Sequence, residues 1–158
     1  MNFKKRKVQV GLFAGLPQYS KVLVDRFADH SCLAGFVPVE LCNLEYVPER
    51  GSAIDAHLDD WWLWGERLVT LNLLSDTIIT FTDDDRPTLS VLVRLARRSL
   101  VAVSGRARYR WKHAIQRRHV TSRRVAMTFR ELSAEFAVGG TSDSVGKELV
   151  AVASNYLS

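Results

Sequence analysis

The middle of the chain consists of short segments that are rich in β-branched and aromatic residues and separated by turn-like stretches. The segments are FVPVELCNLEYV, RLVTLNLL, TIITF, LSVLVRL, SLVAVSG, RYRWKHAI and RRVAMTFREL, and the turns between them include ERGS, DDDRP and SGR. Seven or eight short strands at this spacing form a sandwich or a barrel. The sequence therefore predicts a mainly β core over residues 36–132.

Both ends of the chain carry helical patterns. Pro17 precedes QYSKVLVDRFAD, which has an apolar face, and SDSVGKELVAVASNYL repeats apolar residues at roughly helical spacing. Helices at the margins of a strand-rich middle favour an α+β fold, a double-sheet jelly roll with flanking helices. A chain of 158 residues with 47% hydrophobic side chains suffices for one core, so we expect a single domain over residues 1–158.

Charge is distributed unevenly along the chain. Between residues 45 and 85 there are ten acidic residues and two basic ones, whereas residues 94 to 130 include twelve basic residues and no acidic one. A basic half predicts an anionic partner or cosubstrate, although a solvated basic face without a ligand has the same composition. The KKRK run at residues 4–7 resembles a nuclear-import or nucleic-acid-binding patch.

The sequence also lacks features that would place it in a membrane or outside the cell. No apolar run reaches the roughly 18 residues of a membrane span, and MNFKKRKVQV lacks the apolar segment of a signal peptide. Cys32 and Cys42 are spaced too widely for a C-x-x-C pair, and we expect free, partly buried thiols. We expect a soluble protein of the cytoplasm and nucleus.

The sequence HLDD at residues 57–60 contains two kinds of metal ligand. If the strand is extended, alternation places His57 and Asp59 on one side and Asp60 on the other. The roles of the three tryptophans that follow, Trp61, Trp62 and Trp64, stay open between the core, which is the more frequent place for such residues, and contact with a substrate. An H-x-D pair is a weak signal by itself, and a metal site needs a third ligand.

The segment RARYRWKHAI is interpreted as a strand with two distinct faces. Its alternation places His113 on an inward aromatic face. The other face collects Arg106, Arg108, Arg110 and Lys112. A lone buried histidine is commonly a core residue, but with His57 and Asp59 it completes a two-histidine, one-carboxylate set. Such a set suits non-haem Fe(II), and zinc hydrolysis is the alternative.

Two arginines in RRVAMTFRE indicate a binding site for a small dicarboxylate. Arg124 and Arg130 are six residues apart and so share one face of an extended strand. Two guanidinium groups can hold carboxylates by bidentate, charge-assisted hydrogen bonds. Exposed strand arginines without a ligand are the alternative. In combination with the histidine and carboxylate set, a dicarboxylate that also chelates iron accounts for both features.

Three blocks of the sequence resemble the AlkB family of Fe(II)- and 2-oxoglutarate-dependent dioxygenases. They are CNLEYVPERGSAIDAHLDDWWLWGERLVTLNLLS, SGRARYRWKHAI and RRVAMTFRELSAEF. The resemblance implies a double-stranded β-helix, which is a jelly roll, and oxidative removal of N-methyl groups with O₂ and 2-oxoglutarate as cosubstrates. It further implies that His57, Asp59 and His113 are the catalytic iron ligands.

The resemblance also implies which residues hold the cosubstrate. The implied 2-oxoglutarate contacts are Arg124, Arg130, Asn43 and Tyr46. The family pattern N-x-Y has one residue fewer than the NLEY of this chain, so we expect at most one of Asn43 and Tyr46 to keep its role. TDDDRPTLSVLVRLAR is a shorter link than the family has, and we expect the N-terminal substrate-lid region to be missing.

The implied substrate is methyl-lysine in a protein of the actin type, with N6-methyladenine in DNA as the second candidate. A hypothesis from a different class also stands at this point. It is a non-catalytic basic module that binds nucleic acid or acidic protein surfaces, with the three ligand positions serving only packing or a structural metal.

Overall fold

The computed structural model describes residues 8–157, so the KKRK motif lies outside the described residues. The chain divides into two compact units. Unit 1 comprises Met1–Leu41, Asp60–Gly65 and Phe129–Ser158, and unit 2 comprises Cys42–Asp59 and Glu66–Thr128. The assignment of residues 1–158 to a single domain stays a prediction.

The strands of the described residues form two four-stranded sheets. In chain order they are β1 (Pro38–Tyr46), β2 (Ile54–His57), β3 (Trp64–Leu73), β4 (Thr77–Asp83), β5 (Ser90–Leu95), β6 (Ser99–Val103), β7 (Trp111–Ile115) and β8 (Arg124–Leu132). The first sheet has the order β1-β8-β3-β6 and the second has the order β2-β7-β4-β5. The pairs β3/β6, β2/β7, β4/β7 and β4/β5 are antiparallel. Two sheets of mainly antiparallel strands with few helices confirm the predicted α+β jelly roll.

Helices occupy the margins of the described chain and one connection between strands. They are α1 (Lys21–Phe27), α2 (Gly105–Tyr109) and α3 (Asp143–Ser154). Short 3₁₀ helices span Val10–Leu12, Gln18–Ser20, Ser31–Leu33, Pro48–Arg50, Arg117–His119 and Ala134–Phe136. The predicted helices after Pro17 and near the C-terminus are confirmed. Within residues 8–157, every helix is too short or too polar to cross a bilayer.

The interpretation of RARYRWKHAI as one strand is wrong in its first half. Residues 105–109 form α2, and only Trp111–Ile115 is extended. Gly105 has a φ of +56°, a left-handed conformation that glycine adopts easily and that redirects the chain after β6. Since a helical turn rotates successive side chains by about 100°, Arg108 is buried while Arg106 and Arg110 are exposed. The four basic residues therefore do not share one face.

Aromatic side chains organise the core of unit 1. Phe27 makes edge-to-face contacts with Phe36 at 5.8 Å and with Phe129 at 5.1 Å between ring centroids. Trp62 and Trp64 are buried, whereas Trp61 is exposed. Gly146 interrupts the predicted pattern of α3 for a packing reason. A Cβ atom at this position would collide with the main-chain carbonyl of Phe136.

Unit 2 pairs its acidic segment with its basic segment. Four such ion pairs, which we call the ion-pair belt, are Arg94–Asp76 at 2.7 Å, Lys112–Asp84 at 2.6 Å, Arg123–Glu45 at 2.6 Å, and Arg110–Asp85. The uneven charge along the sequence is thus balanced in part by antiparallel strand pairing. The basic side chains at these four positions, which the sequence suggested for an anionic partner, are already paired with carboxylates of the chain itself.

The two cysteines are not part of the cluster of His57, Asp59 and His113. Both thiols are free, as predicted. Cys42 is half-buried on β1, but Cys32 is exposed in the 3₁₀ helix Ser31–Leu33, so the expectation of partial burial is wrong for Cys32.

Candidate active site

Strand pairing places two histidines opposite each other in unit 2. His57 at the end of β2 is the register partner of His113 on β7, whose other neighbour in the sheet is Phe81 on β4. Ile54 pairs with Ile115. Between the two pairs, β2 therefore advances by three residues while β7 advances by two. This irregularity is a β-bulge, a device that changes the direction of side chains next to functional sites. It brings His57 to the level of His113.

The three predicted iron ligands converge in the structure. His57, Asp59 and His113 each offer one ligand atom, and these atoms all lie within 4.8 Å of one another. The two imidazole rings have centroids 4.3 Å apart. The distance between His57 Nε2 and Asp59 Oδ1 is 3.5 Å. Among residues 8–157 this is the one cluster of three such side chains with that closeness.

The ring of His57 is oriented by the main chain. Its Nδ1 lies 2.8 Å from the carbonyl oxygen of Asp55. Because a carbonyl oxygen only accepts hydrogen bonds, Nδ1 carries the proton and donates it, which leaves the lone pair on Nε2. Nε2 is the atom that faces Asp59. A backbone bond of this kind fixes the tautomer that binds a metal ion.

Asp59 reaches the cluster by a different route from the one predicted. β2 ends at His57, so Asp59 follows the strand instead of extending it. Its side chain is only 9% exposed, whereas that of His57 is 34% exposed. A carboxylate that is taken out of water needs a compensating positive charge or hydrogen bonds. Asp60, which was predicted to face away, belongs to unit 1 and is not part of the cluster.

The cluster fits the divalent iron that the two-histidine, one-carboxylate set indicates. Ligand bonds to such ions are about 2.0–2.2 Å long, so two ligands on the same side of one ion lie about 3 Å apart. The 3.5 Å between His57 Nε2 and Asp59 Oδ1 is close to this value, and all three ligand atoms lie within 4.8 Å of one another. Three ligands on one side leave positions open for a bidentate cosubstrate and O₂.

An apolar cavity in unit 2 is lined by Phe81, the sheet neighbour of His113, but not by any of the three predicted ligands. The ring centroid of the buried Phe81 is 6.3 Å from that of His113. Phe81 lines this cavity of about 380 Å³ together with Val93, Val103, Ala107 and Trp111. Apolar walls exclude water and accept hydrocarbon rather than charge. This cavity was not predicted from the sequence, in which its residues belong to four separate segments.

A second site in unit 2 surrounds Arg124. This residue is 2% exposed, and its Nε donates a hydrogen bond of 2.5 Å to Oδ1 of Asn72. The Tyr46 ring centroid lies 4.7 Å from Cζ of Arg124. Nη1 of Arg124 is buried and finds no hydrogen-bond partner in the described part of the chain. A buried cationic donor without a partner is costly, so this arrangement favours an anionic ligand.

Burial changes the acid–base properties of this pair. It raises the pKa of the Tyr46 hydroxyl, against the opposing effect of the Arg124 charge. Burial also lowers the pKa of Arg124 from its usual value, and Tyr46 partly offsets that effect. The raised pKa keeps Tyr46 neutral at physiological pH, so its hydroxyl remains a hydrogen-bond donor.

The other two residues implied for the cosubstrate lie elsewhere. Arg130, in unit 1, forms an ion pair with Glu40 at 2.7 Å, and its Cζ lies 5.8 Å from the Trp64 ring centroid. Asn43, in unit 2, is exposed on β1. Because three positions separate Asn43 from the buried Tyr46, the two side chains project to opposite faces of the strand. The roles of all four residues toward 2-oxoglutarate stay predictions.

Asn72 is the site residue that sequence reasoning missed. It is fully buried on β3, and its amide nitrogen donates to the carbonyl oxygens of Ser75, Leu95 and Ala96. Its position inside the apolar strand RLVTLNLL was the available signal. A buried asparagine in such a strand must have its polar atoms satisfied, which indicates a structural or ligand-binding network.

No family model matches the sequence. Individual relatives do. The chain is 45% identical over 185 residues to human "Alpha-ketoglutarate-dependent dioxygenase alkB homolog 4" and 43% identical over 185 residues to the mouse protein of that name. Both alignments include 99% of this chain, and they cover 61% and 62% of the relatives. A "DNA N6-methyl adenine demethylase" of Caenorhabditis elegans is 37% identical over 153 residues, covering 95% of this chain and 52% of that protein.

The chain thus spans about three fifths of the mammalian relatives and about half of the nematode relative. The alignments to the two mammalian relatives extend over 99% of this chain. The fold and the ligand set agree with this similarity. The chain belongs to the AlkB family of α-ketoglutarate-dependent dioxygenases.

Proposed function

We propose that this chain is the catalytic core of an Fe(II)- and 2-oxoglutarate-dependent dioxygenase that removes N-methyl groups by oxidation. The observation that carries the proposal is the convergence of His57, Asp59 and His113, in which Nδ1 of His57 is bonded to the Asp55 carbonyl and Nε2 faces Asp59. A packing role would not require two histidines and a carboxylate with their ligand atoms turned toward one point.

The residues divide the work of such a reaction between them. His57, Asp59 and His113 would hold Fe(II), and Arg124 with Tyr46 would bind a carboxylate of 2-oxoglutarate by charge-assisted hydrogen bonds. Bound iron supplies the activation of O₂, which converts N–CH₃ and 2-oxoglutarate into N–H, formaldehyde, succinate and CO₂. The chain itself positions the reactants and keeps water away on the side of Phe81.

The proposed substrate is methyl-lysine in a protein of the actin type. The apolar cavity lined by Phe81 suits the aliphatic stem of a lysine side chain. The ion-pair belt supports the same choice, because Arg110 and Lys112 are already paired with carboxylates. A phosphate backbone would have to compete with these carboxylates for each contact.

The second candidate substrate is N6-methyladenine in DNA. The name of the nematode relative, which aligns with 95% of this chain, supports this candidate. The reaction at the nitrogen is the same. The adenine would have to leave the base stack to reach the iron.

The decisive experiment measures succinate and formaldehyde from the purified chain with Fe(II), 2-oxoglutarate and O₂. It is run with a methyl-lysine peptide from actin and, separately, with DNA that contains N6-methyladenine. Wild type should release formaldehyde from the peptide, and His57→Ala should not. Asp60→Ala is the matched control, because this neighbouring acid is outside the cluster, and it should keep the wild-type rate.

The outcomes separate the competing hypotheses. Release of formaldehyde from the DNA and not from the peptide would identify N6-methyladenine in DNA as the substrate. Turnover without O₂ and 2-oxoglutarate would indicate a zinc hydrolase. Binding of nucleic acid or acidic protein, with no succinate under any condition and no loss of binding in His57→Ala, would favour the non-catalytic module.

We also propose that the protein acts in both the cytoplasm and the nucleus. The KKRK run at residues 4–7 supports nuclear entry. A fluorescent fusion of the full chain should appear in both compartments, and replacing all four residues by alanine should reduce the nuclear fraction. An unchanged distribution would contradict the assignment of KKRK.

A further inference from the structure

Arg108 is a buried charge that the proposed reaction does not use. It is 2% exposed, although it lies in the five-residue helix α2 between two exposed arginines, Arg106 and Arg110. Removing a guanidinium from water is unfavourable unless its hydrogen bonds are replaced within the protein. A leucine or methionine would fill the same space without that cost, so the charge calls for a reason other than packing.

One hydrogen bond of Arg108 connects it to the candidate iron site. Its Nη1 donates a hydrogen bond of 3.0 Å to the main-chain carbonyl oxygen of Asp59. Asp59 lies two residues beyond the end of β2, outside the pairing of β2 with β7. The hydrogen bond from Arg108 bridges 49 residues of sequence and ties this segment to α2.

The position of α2 extends this link to a second ligand. The helix ends at Tyr109, and β7 begins at Trp111, two residues before His113. Arg108 therefore belongs to the segment that leads into one ligand while it holds the backbone of another. The third ligand, His57, is aligned with His113 by strand register and is oriented by Asp55.

We infer that Arg108 is a positioning residue for the metal centre, which holds the Asp59 backbone so that the carboxylate meets His57 and His113. This inference rests on the proposed function, because it assumes that the cluster binds a metal ion. Arg108 acts through Asp59 and touches neither substrate nor cosubstrate in this role. Hydrogen bonds to the groups that carry metal ligands commonly change metal affinity by about 10- to 100-fold.

The test is a metal titration that does not depend on turnover. Co(II) is added anaerobically to the metal-free full-length chain, and its visible absorption reports both affinity and ligand geometry. Arg108→Met should bind Co(II) about 10- to 100-fold more weakly than wild type, with an altered spectrum. Arg108→Lys, which keeps the charge and one donor, should recover part of the affinity. Arg106→Met, on the same helix but exposed, should bind as wild type does.

Thermal unfolding of the metal-free variants separates positioning from structure. A folded Arg108→Met chain that binds Co(II) as tightly as wild type, even with a lower Tm, would overturn the inference. Should this variant fail to fold, Arg108→Gln takes its place and is judged by the same criteria. If neither folds, Arg108 maintains the fold and not the ligand, which also refutes the inference.

The proposed function has its own outcome in the same experiment. If wild type binds no Co(II), or if His57→Ala binds it equally well, the assignment of His57, Asp59 and His113 as metal ligands is wrong. If wild type binds and His57→Ala does not, the site stands, and the Arg108 variants alone decide the inference.

Discussion

Unit 2 uses arginine in two ways, at the surface and in the interior. In the ion-pair belt, Arg94 and Arg123 are largely exposed, and each meets a carboxylate at 2.7 Å or less. Arg108 and Arg124 are buried to 2% exposure. Arg108 donates to a main-chain carbonyl, and Arg124 donates to an amide oxygen and keeps a buried donor without a partner in the described residues.

This difference shows where charge serves function. An exposed ion pair is solvated and screened, and it contributes little to stability. A buried guanidinium is costly, and the two proposals give each one a role, since Arg108 would orient Asp59 and Arg124 would bind an anion. The most basic stretch of the sequence is therefore less informative about ligands than its two least exposed arginines.

The largest effect is expected when the buried charge at Arg124 is removed. Arg124→Met should raise the KM for 2-oxoglutarate about 100-fold, because loss of one partner from a buried charge pair costs about 3 kcal/mol. The Tm of the cosubstrate-free chain should fall as well, because Arg124→Met leaves the buried Oδ1 of Asn72 without its donor, a loss of about 1–3 kcal/mol. Steady-state succinate formation and thermal unfolding measure the two effects.

Arg123→Met is the control for that prediction, since Arg123 is the exposed neighbour paired with Glu45. It should leave the KM for 2-oxoglutarate unchanged. Equal effects of the two substitutions would mean that Arg124 acts through general charge and does not contact the cosubstrate.

Removing Asn72 should affect stability more than any member of the ion-pair belt. Asn72→Ala leaves the buried carbonyl of Leu95 and the Nε of Arg124 without their amide partner. We expect the free energy of unfolding to fall by about 2 kcal/mol, as unsatisfied buried groups cost about 1–3 kcal/mol each. Urea denaturation measures this loss. A change below about 0.5 kcal/mol, which is the range of ordinary surface substitutions, would show that the hydrogen bonds of Asn72 do not stabilise the fold.

A smaller change tests the neighbour of Arg124. Tyr46→Phe removes the hydroxyl and keeps the ring under the guanidinium, whose Cζ is 4.7 Å from the ring centroid. Loss of one hydrogen bond, worth about 1 kcal/mol, should raise the KM for 2-oxoglutarate about fivefold. Asn43→Ala, at the exposed position of β1, is the comparison. If Asn43→Ala raises the KM for 2-oxoglutarate more than Tyr46→Phe does, Asn43 is the cosubstrate contact.

The smallest effect is expected from the ion-pair belt itself. The hydrogen bond from Arg94 holds the pKa of Asp76 below its ordinary value of 3.8, and a bond from the Arg97 amide adds to the shift. A lowered folded-state pKa means that the contribution to stability is present above pH 3.8 and is lost as the pH falls through the folded-state value. The Tm difference between wild type and Asp76→Asn should therefore be small near neutrality and disappear in acid. A Tm difference that grows as the pH falls would contradict the lowered pKa of Asp76.

Local pattern was sufficient for much of the fold. Alternating β-branched residues predicted the strand regions, and apolar spacing predicted α1 and α3. It failed at α2, because RARYRW alternates like a strand while Gly105 redirects the backbone at a positive φ. A two-residue period in sequence does not reveal the conformation of a single glycine that precedes it.

The residue types in the sequence define the chemistry that is available: two histidines and a carboxylate for a metal ion, and arginines for an anion. Which of these residues meet depends on the three-dimensional fold. The bulge in β2 aligns His57 with His113, the fold buries Arg108 against Asp59, and Asn72 joins Arg124 across 52 residues. Such contacts depend on the register between distant strands, and register is set by the packing of the whole sheet. Local residue patterns carry little information about it.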